Sequence, residues 1–317
     1  MAIFLRESDV DKLSSMKVAL EAVEQAFRLQ GEAKGDNAPR RRCAVEKGFL
    51  HVMSASLPGM GLAGLKSYSS VAGTTRFHVL LYSAKDGKLL AIMEADKLGQ
   101  LRTGAASGVA TKYMSRPDSS RVGVFGTGWQ ARTQLEALCA VRPIKAITAF
   151  GRDQQRRQEF CSEMTKALGI EVRGASNPEE AARDMDIVVT ATTSREPVFK
   201  GEWLAKGTHI NAVGANFLNR QEIDVDTVAR AACVVVDSVE QAKLESGDLT
   251  RAAEAGVFFW EDARELGLVV VGDFPGREDD GEITLFRSHG IALEDVAFAG
   301  AIYKAAVDGG IGERLPF

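Results

Sequence analysis

A glycine-rich turn in the middle of the chain lies between an apolar segment and a helix-forming segment, and its residue types suit contact with phosphate. The turn runs from Gly126 through Gly128 to Ala131, directly after the apolar residues 122–125. The first glycine allows a tight turn, the second removes a side chain that would block a phosphate, and the small alanine lets the helix pack on the strand. Free amides at the helix start then face the phosphates. The pattern predicts a dinucleotide site and favours it over an ordinary glycine turn.

The end of the next apolar segment bears on which dinucleotide is bound. An acidic residue there hydrogen-bonds the ribose hydroxyls of NAD, whereas an arginine accommodates the additional phosphate of NADP. Residues 150–153 read Phe-Gly-Arg-Asp, and Arg156 and Arg157 follow on the next helix. Arg152 therefore favours NADP over NAD. The alternative is that Arg152 covers the adenine face while Asp153 binds the ribose.

The elements that must position this turn are apolar segments separated by stretches of helical length. Five such segments follow one another: Val122–Phe125, Ala146–Phe150, Ile187–Thr190, Ile210–Val213 and Val234–Val236. Apolar runs in this arrangement predict a parallel sheet covered by helices on both faces. We therefore expect an α/β fold in which a Rossmann-type doubly wound sheet carries the turn.

The N-terminal part follows a different plan. A short strand, Ile3–Leu5, precedes a helix that begins near Asp9 and has apolar residues at helical spacing. Glycine-separated strand segments then follow at Phe49–Met53, Gly64–Tyr68, Val79–Tyr82 and Leu89–Ile92. They predict a smaller α+β domain with an antiparallel sheet. A helix over 105–113 and a loop over 115–118 would join the two domains, and an apolar helix over 292–307 is a candidate to cross back to the first.

Composition excludes several classes of function. A chain of 317 residues favours two domains, and a net charge of -4 gives no footprint for nucleic acid. Because there is neither an apolar run of membrane-spanning length nor a signal-like N-terminus, we expect a cytoplasmic protein without a membrane partner. The four cysteines and four histidines are scattered without paired spacing. Neither a disulfide framework nor a metal site is expected.

Several motifs in order along nearly the whole chain resemble the ornithine cyclodeaminase and mu-crystallin family, which includes alanine dehydrogenases and ketimine reductases. They are the segments 64–66, 101–107, 126–131, 209–215, 236–240 and 245–248. The resemblance implies a homodimer with two domains in each chain. A substrate-binding and dimerisation domain would comprise residues 1–114 with 292–317, and a dinucleotide-binding domain residues 115–291.

The resemblance also implies chemistry at a carbon that bears nitrogen and a carboxylate. Family members place an arginine before the first hairpin, a lysine on a strand and an arginine in an Arg-Thr motif around that carboxylate. These carry over to Arg41, Lys66 and Arg102, although Arg40, Arg41 and Arg42 are adjacent and the register is open by one residue. A bidentate arginine fixes the plane of a carboxylate, and a partly buried lysine with a lowered pKa can relay a proton. Without the resemblance, Lys66 would equally suit an edge-strand lysine that discourages aggregation.

One departure from the family concerns Asn216. Cyclodeaminases place an aspartate there that acts on the substrate amine, and an amide cannot accept a proton at neutral pH. The departure disfavours cyclisation of ornithine and favours net reduction of an imine.

Further residues are assigned to the substrate and to the cofactor. Met53, Arg76 and Asn216 are expected at the substrate, where Arg76, with His78 on the same strand face, would suit a distal carboxylate; a solvent-facing pair is the alternative. Asp237 and Asp248 flank a helix, where an aspartate is suited to capping. Neither is assigned to the catalytic site. Positions expected at the cofactor are Thr103, Gly126, Thr127, Gly128, Trp129, Gln130, Ala131, Arg152, Thr192, Thr193, Val213, Ser288 and His289.

Together these features predict an NAD(P)-dependent oxidoreductase. Its substrate would be a small imino acid or cyclic ketimine, such as pyrroline-2-carboxylate, iminosuccinate or iminopyruvate, reduced to an L-amino acid. One alternative is an ornithine cyclodeaminase that keeps NAD tightly bound. Another is a crystallin-like protein that binds NADPH without catalysis.

Overall fold

The computed structural model describes residues 2–316 and divides into two units. The first comprises the residues up to Ala106 together with those from Gly290 onward, and the second comprises Ser107–His289. The first division falls inside the helix Asp96–Met114. The sequence analysis placed this boundary after residue 114 and the second one after residue 291.

The first unit contains one mixed sheet and its helices. Its strands are β1 (Ile3–Leu5), β2 (Asp36–Val45), β3 (Gly48–Leu57), β4 (Leu62–Val71), β5 (Thr74–Ser83), β6 (Leu89–Glu94) and β15 (Glu313–Arg314). Its helices are α1 (Glu7–Leu13), α2 (Met16–Gly31), the start of α3 (Asp96–Met114) and α10 (Ala292–Gly309). The strand order is β15-β1-β6-β5-β4-β3-β2, and every pair is antiparallel except β1 with β6.

Two local details of the first unit differ from the sequence analysis. The single helix expected from Asp9 is two helices, because Ser15 interrupts the first and caps the second through its hydroxyl, which accepts a hydrogen bond from the Val18 amide. Strand β2 was not predicted, since its sequence is polar and basic, and it forms by pairing with β3. Helix α10 packs against β3 and β4, and its first half, residues 292–300, is buried throughout. The face of the sheet beneath α10 is therefore an interior surface.

The second unit is built on an eight-stranded sheet. Its strands are β7 (Arg121–Phe125), β8 (Ala146–Phe150), β9 (Val172–Gly174), β10 (Ile187–Thr190), β11 (His209–Ala212), β12 (Ala231–Val236), β13 (Arg264–Glu265) and β14 (Ile283–Arg287). Besides the end of α3, its helices are α4 (Trp129–Val141), α5 (Gln154–Leu168), α6 (Val225–Arg230), α7 (Val239–Glu245), α8 (Gly247–Glu254) and α9 (Leu266–Val271). The strands are all parallel, in the order β13-β12-β14-β11-β10-β7-β8-β9.

Two apolar clusters cover the two faces of this parallel sheet. Val122 and Val124 of β7 belong to one cluster, whereas Phe125 belongs to the other. From β7 the chain first builds β8 and β9 on one side and then returns to place β10 on the other side. The order therefore reverses between β7 and β10, where doubly wound sheets bind their ligands. The predicted fold class is confirmed.

Across residues 2–316, no helix combines the length and the apolar character that crossing a bilayer requires.

Candidate active site

Lys66 lies in the interior of the first unit. It projects from β4, is 1% exposed, and donates a hydrogen bond of 2.9 Å from Nζ to Asp295 Oδ1 at the start of α10. Its ammonium group also lies 4.8 Å from the centre of the Phe77 ring. Burial lowers the pKa of Lys66 to about 8, and the neighbouring Arg102 acts in the same direction while Asp295 opposes it. Lys66 can therefore exchange a proton near neutral pH.

Arg102 reaches the same carboxylate from α3. Its Nε donates to Asp295 Oδ1 at 2.9 Å, and its Nη1 donates to Glu294 Oε2 at 2.7 Å. Gly290 makes room for it, because a Cβ at this position would lie 2.5 Å from Arg102 Nη1, and the residue has a φ of +76°. The carboxylate of Asp295 thus joins the lysine and the arginine that the sequence singled out.

The adjacent arginines of β2 are distinguished by their burial. Arg40 is 6% exposed and donates from Nη2 to the carbonyl oxygen of Gly290 at 2.9 Å, whereas Arg41 is exposed. The pairing of β2 with β3 shifts between Ala38 and Arg41, and neighbouring side chains on a strand point to opposite faces. The structure therefore buries Arg40 and leaves Arg41 exposed, and the assignment of Arg41 to the substrate stays a prediction.

Met53 and Arg76, the other residues of this unit expected at the substrate, also differ in burial. Met53 is buried and pairs with Lys66 across the β3 and β4 ladder, which places both on one face. Arg76 is 69% exposed, and its Nη1 lies 3.5 Å from Asp96 Oδ2. Lys66 pairs with Val79, three residues from Arg76, so the arginine points to the opposite face of the sheet. Arg76 therefore does not share the face of Lys66 and its assignment to the substrate stays a prediction, and His78 is exposed on the same outer face.

The buried charges of this unit form a group that we call the cationic cluster: Arg40, Lys66, Arg102, Glu294 and Asp295. Its three cations exceed its two acids, and both acids are completely buried. The sequence analysis missed Glu294 and Asp295. Their signal was two successive acids in the first turn of an otherwise apolar helix, a position where acids usually only complement the helix dipole.

In the second unit, the glycine turn has the geometry that a dinucleotide requires. Gly126 has a φ of +101°, and a Cβ there would lie 2.4 Å from the carbonyl oxygen of Ala191. Gly128 is the N-cap of α4, and no heavy atom lies within 4 Å of where its Cβ would be. Ala131 is buried against the sheet, Thr127 and Gln130 are half-buried and Trp129 is exposed. These residues leave space at a helix N-terminus and fit a pyrophosphate.

The end of β8 presents an exposed arginine. Arg152 is exposed, whereas Asp153 is the N-cap of α5 and accepts a hydrogen bond of 2.9 Å from the Arg156 amide. Arg157 donates to the carbonyl oxygen of Gly151. One oxygen of the only acid among residues 150–153 is thus engaged in capping the helix.

The remaining predicted positions lie mostly at strand ends of the second unit. Thr192 and Thr193 follow β10, and Val213 and Asn216 follow β11; Thr193 is exposed and the other three are half-buried. Thr103 instead lies in the first unit, where its hydroxyl donates to the Gly99 carbonyl oxygen in its own helix.

Ser288 and His289 follow β14 and are held by a carboxylate. The Ser288 hydroxyl and the His289 amide donate to Asp237 Oδ2, at 3.0 and 2.6 Å. Burial, assisted by Arg287, lowers the pKa of His289. Asp237, for which the sequence offered a capping role, instead orients the end of β14.

The model of the ornithine cyclodeaminase/mu-crystallin family matches residues 1–310. An alanine dehydrogenase from Archaeoglobus fulgidus is 40% identical over 326 residues, covering 99% of this chain and 98% of the relative. A Delta(1)-pyrroline-2-carboxylate reductase from Bacillus cereus is 37% identical over 282 residues, covering 86% of each.

Solved structures of two relatives superpose on nearly the whole chain. The Delta(1)-pyrroline-2-carboxylate reductase of Thermococcus litoralis, in complex with NADH and L-proline, superposes with a TM-score of 0.94 at 39% identity and covers 99% of this chain and 100% of its own. An archaeal alanine dehydrogenase dimer with bound NAD gives a TM-score of 0.94 at 40% identity, covering 100% and 99%. The resemblance predicted from the motifs is confirmed, and the chain belongs to the ornithine cyclodeaminase/mu-crystallin family.

Proposed function

We propose that this protein is an NAD(P)H-dependent oxidoreductase that reduces the C=N bond of an imino acid or cyclic ketimine to an L-amino acid. The observation that carries the proposal is the cationic cluster, in which three buried cations face two buried acids. Buried guanidinium and ammonium groups gathered in one place are suited to binding a carboxylate. An imino acid carries that group.

The residues of the cationic cluster have different roles in the proposed reaction. Arg102 has a planar fork of donors that suits a carboxylate, and Arg40 adds a second guanidinium. A reduced nicotinamide, when bound, supplies a hydride. The imine nitrogen also needs a proton, and Lys66 is the donor, because the contact with Asp295 favours its charged form while burial weakens its hold on the proton.

The apolar wall beside Lys66 bears on the choice of substrate. Met53, Tyr68 and Phe77 surround the ammonium side of the cluster, and Arg76, the cation expected for a distal carboxylate, points to the opposite face. Monocarboxylates such as pyrroline-2-carboxylate or iminopyruvate are therefore proposed over iminosuccinate. The names of the relatives, an alanine dehydrogenase and a pyrroline-2-carboxylate reductase, support the same class.

The test is a panel of imines, supplied preformed or as keto acid with amine, assayed with NADPH and with NADH. We expect oxidation of the cofactor with the monocarboxylate imines at rates well above iminosuccinate. Ornithine incubated with NAD should release no ammonia, since Asn216 cannot act as a base. Ammonia release from ornithine at a rate comparable to imine reduction, or no cofactor oxidation with any imine, would contradict the proposal.

NADPH is proposed as the preferred cofactor because Arg152 is exposed at the end of β8 and Asp153 caps α5. The solved relatives contain NADH or NAD, so both cofactors have to be titrated. Arg152→Ala should weaken NADPH binding by about 1 to 3 kcal/mol, the range for a charge-assisted bond, and leave NADH nearly unchanged. Arg156→Ala is the matched control on the next helix. Equal losses for both cofactors in Arg152→Ala would remove the basis for this preference.

We also propose that the protein is a homodimer. Apolar side chains of the β2 and β3 hairpin, Val45, Phe49, Leu50 and Val52, are between 38% and 43% exposed. An exposed apolar patch on a sheet suits burial against another chain. The archaeal alanine dehydrogenase was solved as a dimer. Light scattering on the purified protein gives the mass directly, and a monomeric mass would contradict this part of the proposal.

A further inference from the structure

Glu222, in the segment between β11 and α6, binds two separate loops with one carboxylate. It is 0% exposed. Its Oε1 accepts hydrogen bonds from the amide and hydroxyl of Thr192, at 2.6 and 2.8 Å, and its Oε2 accepts from the amides of Gly214 and Ala215, at 2.6 and 3.2 Å. Thr192 follows β10, and Gly214 follows β11. Four donors from two loops thus converge on a single side chain.

The loop after β10 lies at the point where the strand order reverses, and β11, which precedes the other loop, is the next strand in the sheet. The loop after β10 contacts the glycine turn, since the carbonyl oxygen of Ala191 would be 2.4 Å from a Cβ at Gly126. The two loops also approach each other closely, because a Cβ at Gly214 would lie 2.2 Å from the carbonyl oxygen of Thr192. The crevice at such a reversal is where a dinucleotide binds. The carboxylate of Glu222 therefore lies directly behind one wall of that crevice.

Two further buried charged residues, Asp248 and Arg287, hold the main chain at Glu222 in place. Asp248 Oδ1 accepts from the amides of Glu222 and Ile223, at 2.7 and 3.1 Å. Asp248 Oδ2 accepts from Arg287 Nε at 2.7 Å, and Arg287 also donates to the carbonyl oxygens of Ala212, Ala215 and Ser288. We call Glu222, Asp248 and Arg287 the loop network. Its hydrogen bonds to the main chain fix the ends of β11 and β14 as well as the two loops.

We propose that Glu222 is a positioning residue that presets the dinucleotide crevice by fastening the loop after β10 to the loop after β11. The inference rests on the proposed function only in taking this crevice as the cofactor site. A buried carboxylate is costly unless its lone pairs are satisfied, and here both oxygens are used on loop donors. Loops that are ordered before binding do not have to be ordered by the ligand, which raises affinity.

The experiment compares Glu222→Gln with Glu265→Gln. Glutamine keeps the size of the side chain but has one acceptor oxygen and places an NH₂ group against one pair of loop donors. Glu265 is a half-buried glutamate of the same unit whose carboxylate accepts a hydrogen bond from the backbone amide of Val239. Dissociation constants for NADPH and NADH are measured by fluorescence, hydrogen exchange is followed in the segments around Thr192 and Gly214, and the Tm of each variant is recorded.

We expect Glu222→Gln to weaken dinucleotide binding about tenfold, the loss for roughly one unsatisfied donor, and to speed exchange in those two segments. At saturating cofactor its kcat should stay within a fewfold of the wild type, and Glu265→Gln should bind both cofactors normally. Unchanged affinity in Glu222→Gln, or an equal loss in Glu265→Gln at similar Tm, would overturn the inference. A wild-type protein that binds dinucleotide but reduces no imine would contradict the proposed function and leave the result for Glu222 valid.

Discussion

The cationic cluster and the loop network both bury arginine with acids, but they use the charges differently. In the cationic cluster, the acids Glu294 and Asp295 accept hydrogen bonds from cationic side chains. In the loop network, Glu222 and Asp248 accept mostly from backbone amides, and Arg287 donates to three backbone carbonyls. In the first arrangement charged side chains pair with one another, whereas in the second most of the hydrogen bonds hold the main chain of loops.

This difference predicts different consequences of mutation. A residue whose hydrogen bonds hold the main chain should affect folding and cofactor binding when it is replaced. A residue of the cationic cluster should affect the reaction while the fold and the cofactor affinity are kept. The following variants test the distinction, from the largest expected effect to the smallest.

Arg287→Met should cause the largest loss, and it should be a loss of stability. The substitution leaves the carboxylate of Asp248 buried without its cation, which costs about 3 to 5 kcal/mol. Urea denaturation measures the free energy of unfolding. Arg132→Met, which removes a partly exposed pair with Glu163, is the control and should cost about 1 kcal/mol or less. If the two variants lost similar amounts of unfolding free energy, the loop network would contribute no more to stability than a partly exposed ion pair.

Lys66→Met should lower kcat by a factor of roughly one hundred to one thousand, the contribution expected of a general acid. Because the pKa of Lys66 is about 8, the lysine is charged below this pH and neutral above it. The rate of imine reduction by the wild type should therefore fall as the pH rises through about 8, and this fall should be absent in the variant. A stopped-flow pH profile tests both points. The same fall in Lys66→Met would assign the titration to another group.

Arg102→Lys keeps the positive charge but removes the planar fork. We expect kcat/KM to fall about a hundredfold, or roughly 2.7 kcal/mol, because a displaced carboxylate misaligns the reacting carbon. Cofactor affinity should barely change. Arg76→Lys, on the outer face of the sheet, serves as the control and should retain full activity. A fully active Arg102→Lys enzyme would mean that the substrate binds elsewhere.

Arg40→Ala and Arg41→Ala form a matched pair on adjacent residues. Arg40 is buried beside Gly290 and Arg41 is exposed, so only the first should raise the KM for the imine, by about tenfold, the lower end of the range for a hydrogen bond to a charged group. Steady-state kinetics at saturating cofactor measures this. A larger effect from Arg41→Ala would support the assignment of Arg41 to the substrate and place the site on the outer face.

The sequence by itself determined the features that depend on neighbouring residues. The segments Ala146–Phe150 and Ile187–Thr190 were predicted with the bounds that the structure has, since continuous apolar runs are typical of buried parallel strands. The turn from Gly126 to Ala131 was also predicted from the sequence, because its geometry depends on only six consecutive residues. Strands whose local pattern is weak were missed, including the basic β2 and the short β14 that ends in the buried Arg287.

Only the tertiary structure decided which charges meet. Asp295 reaches Lys66 across 229 positions of sequence, and Arg287 reaches Asp248 across 39. Whether Arg40 or Arg41 is buried depends on a register shift in the pairing of β2 with β3, since a shift of one residue moves every side chain to the other face. Burial of a charge depends on the elements that pack above it, and residue type alone does not specify those elements.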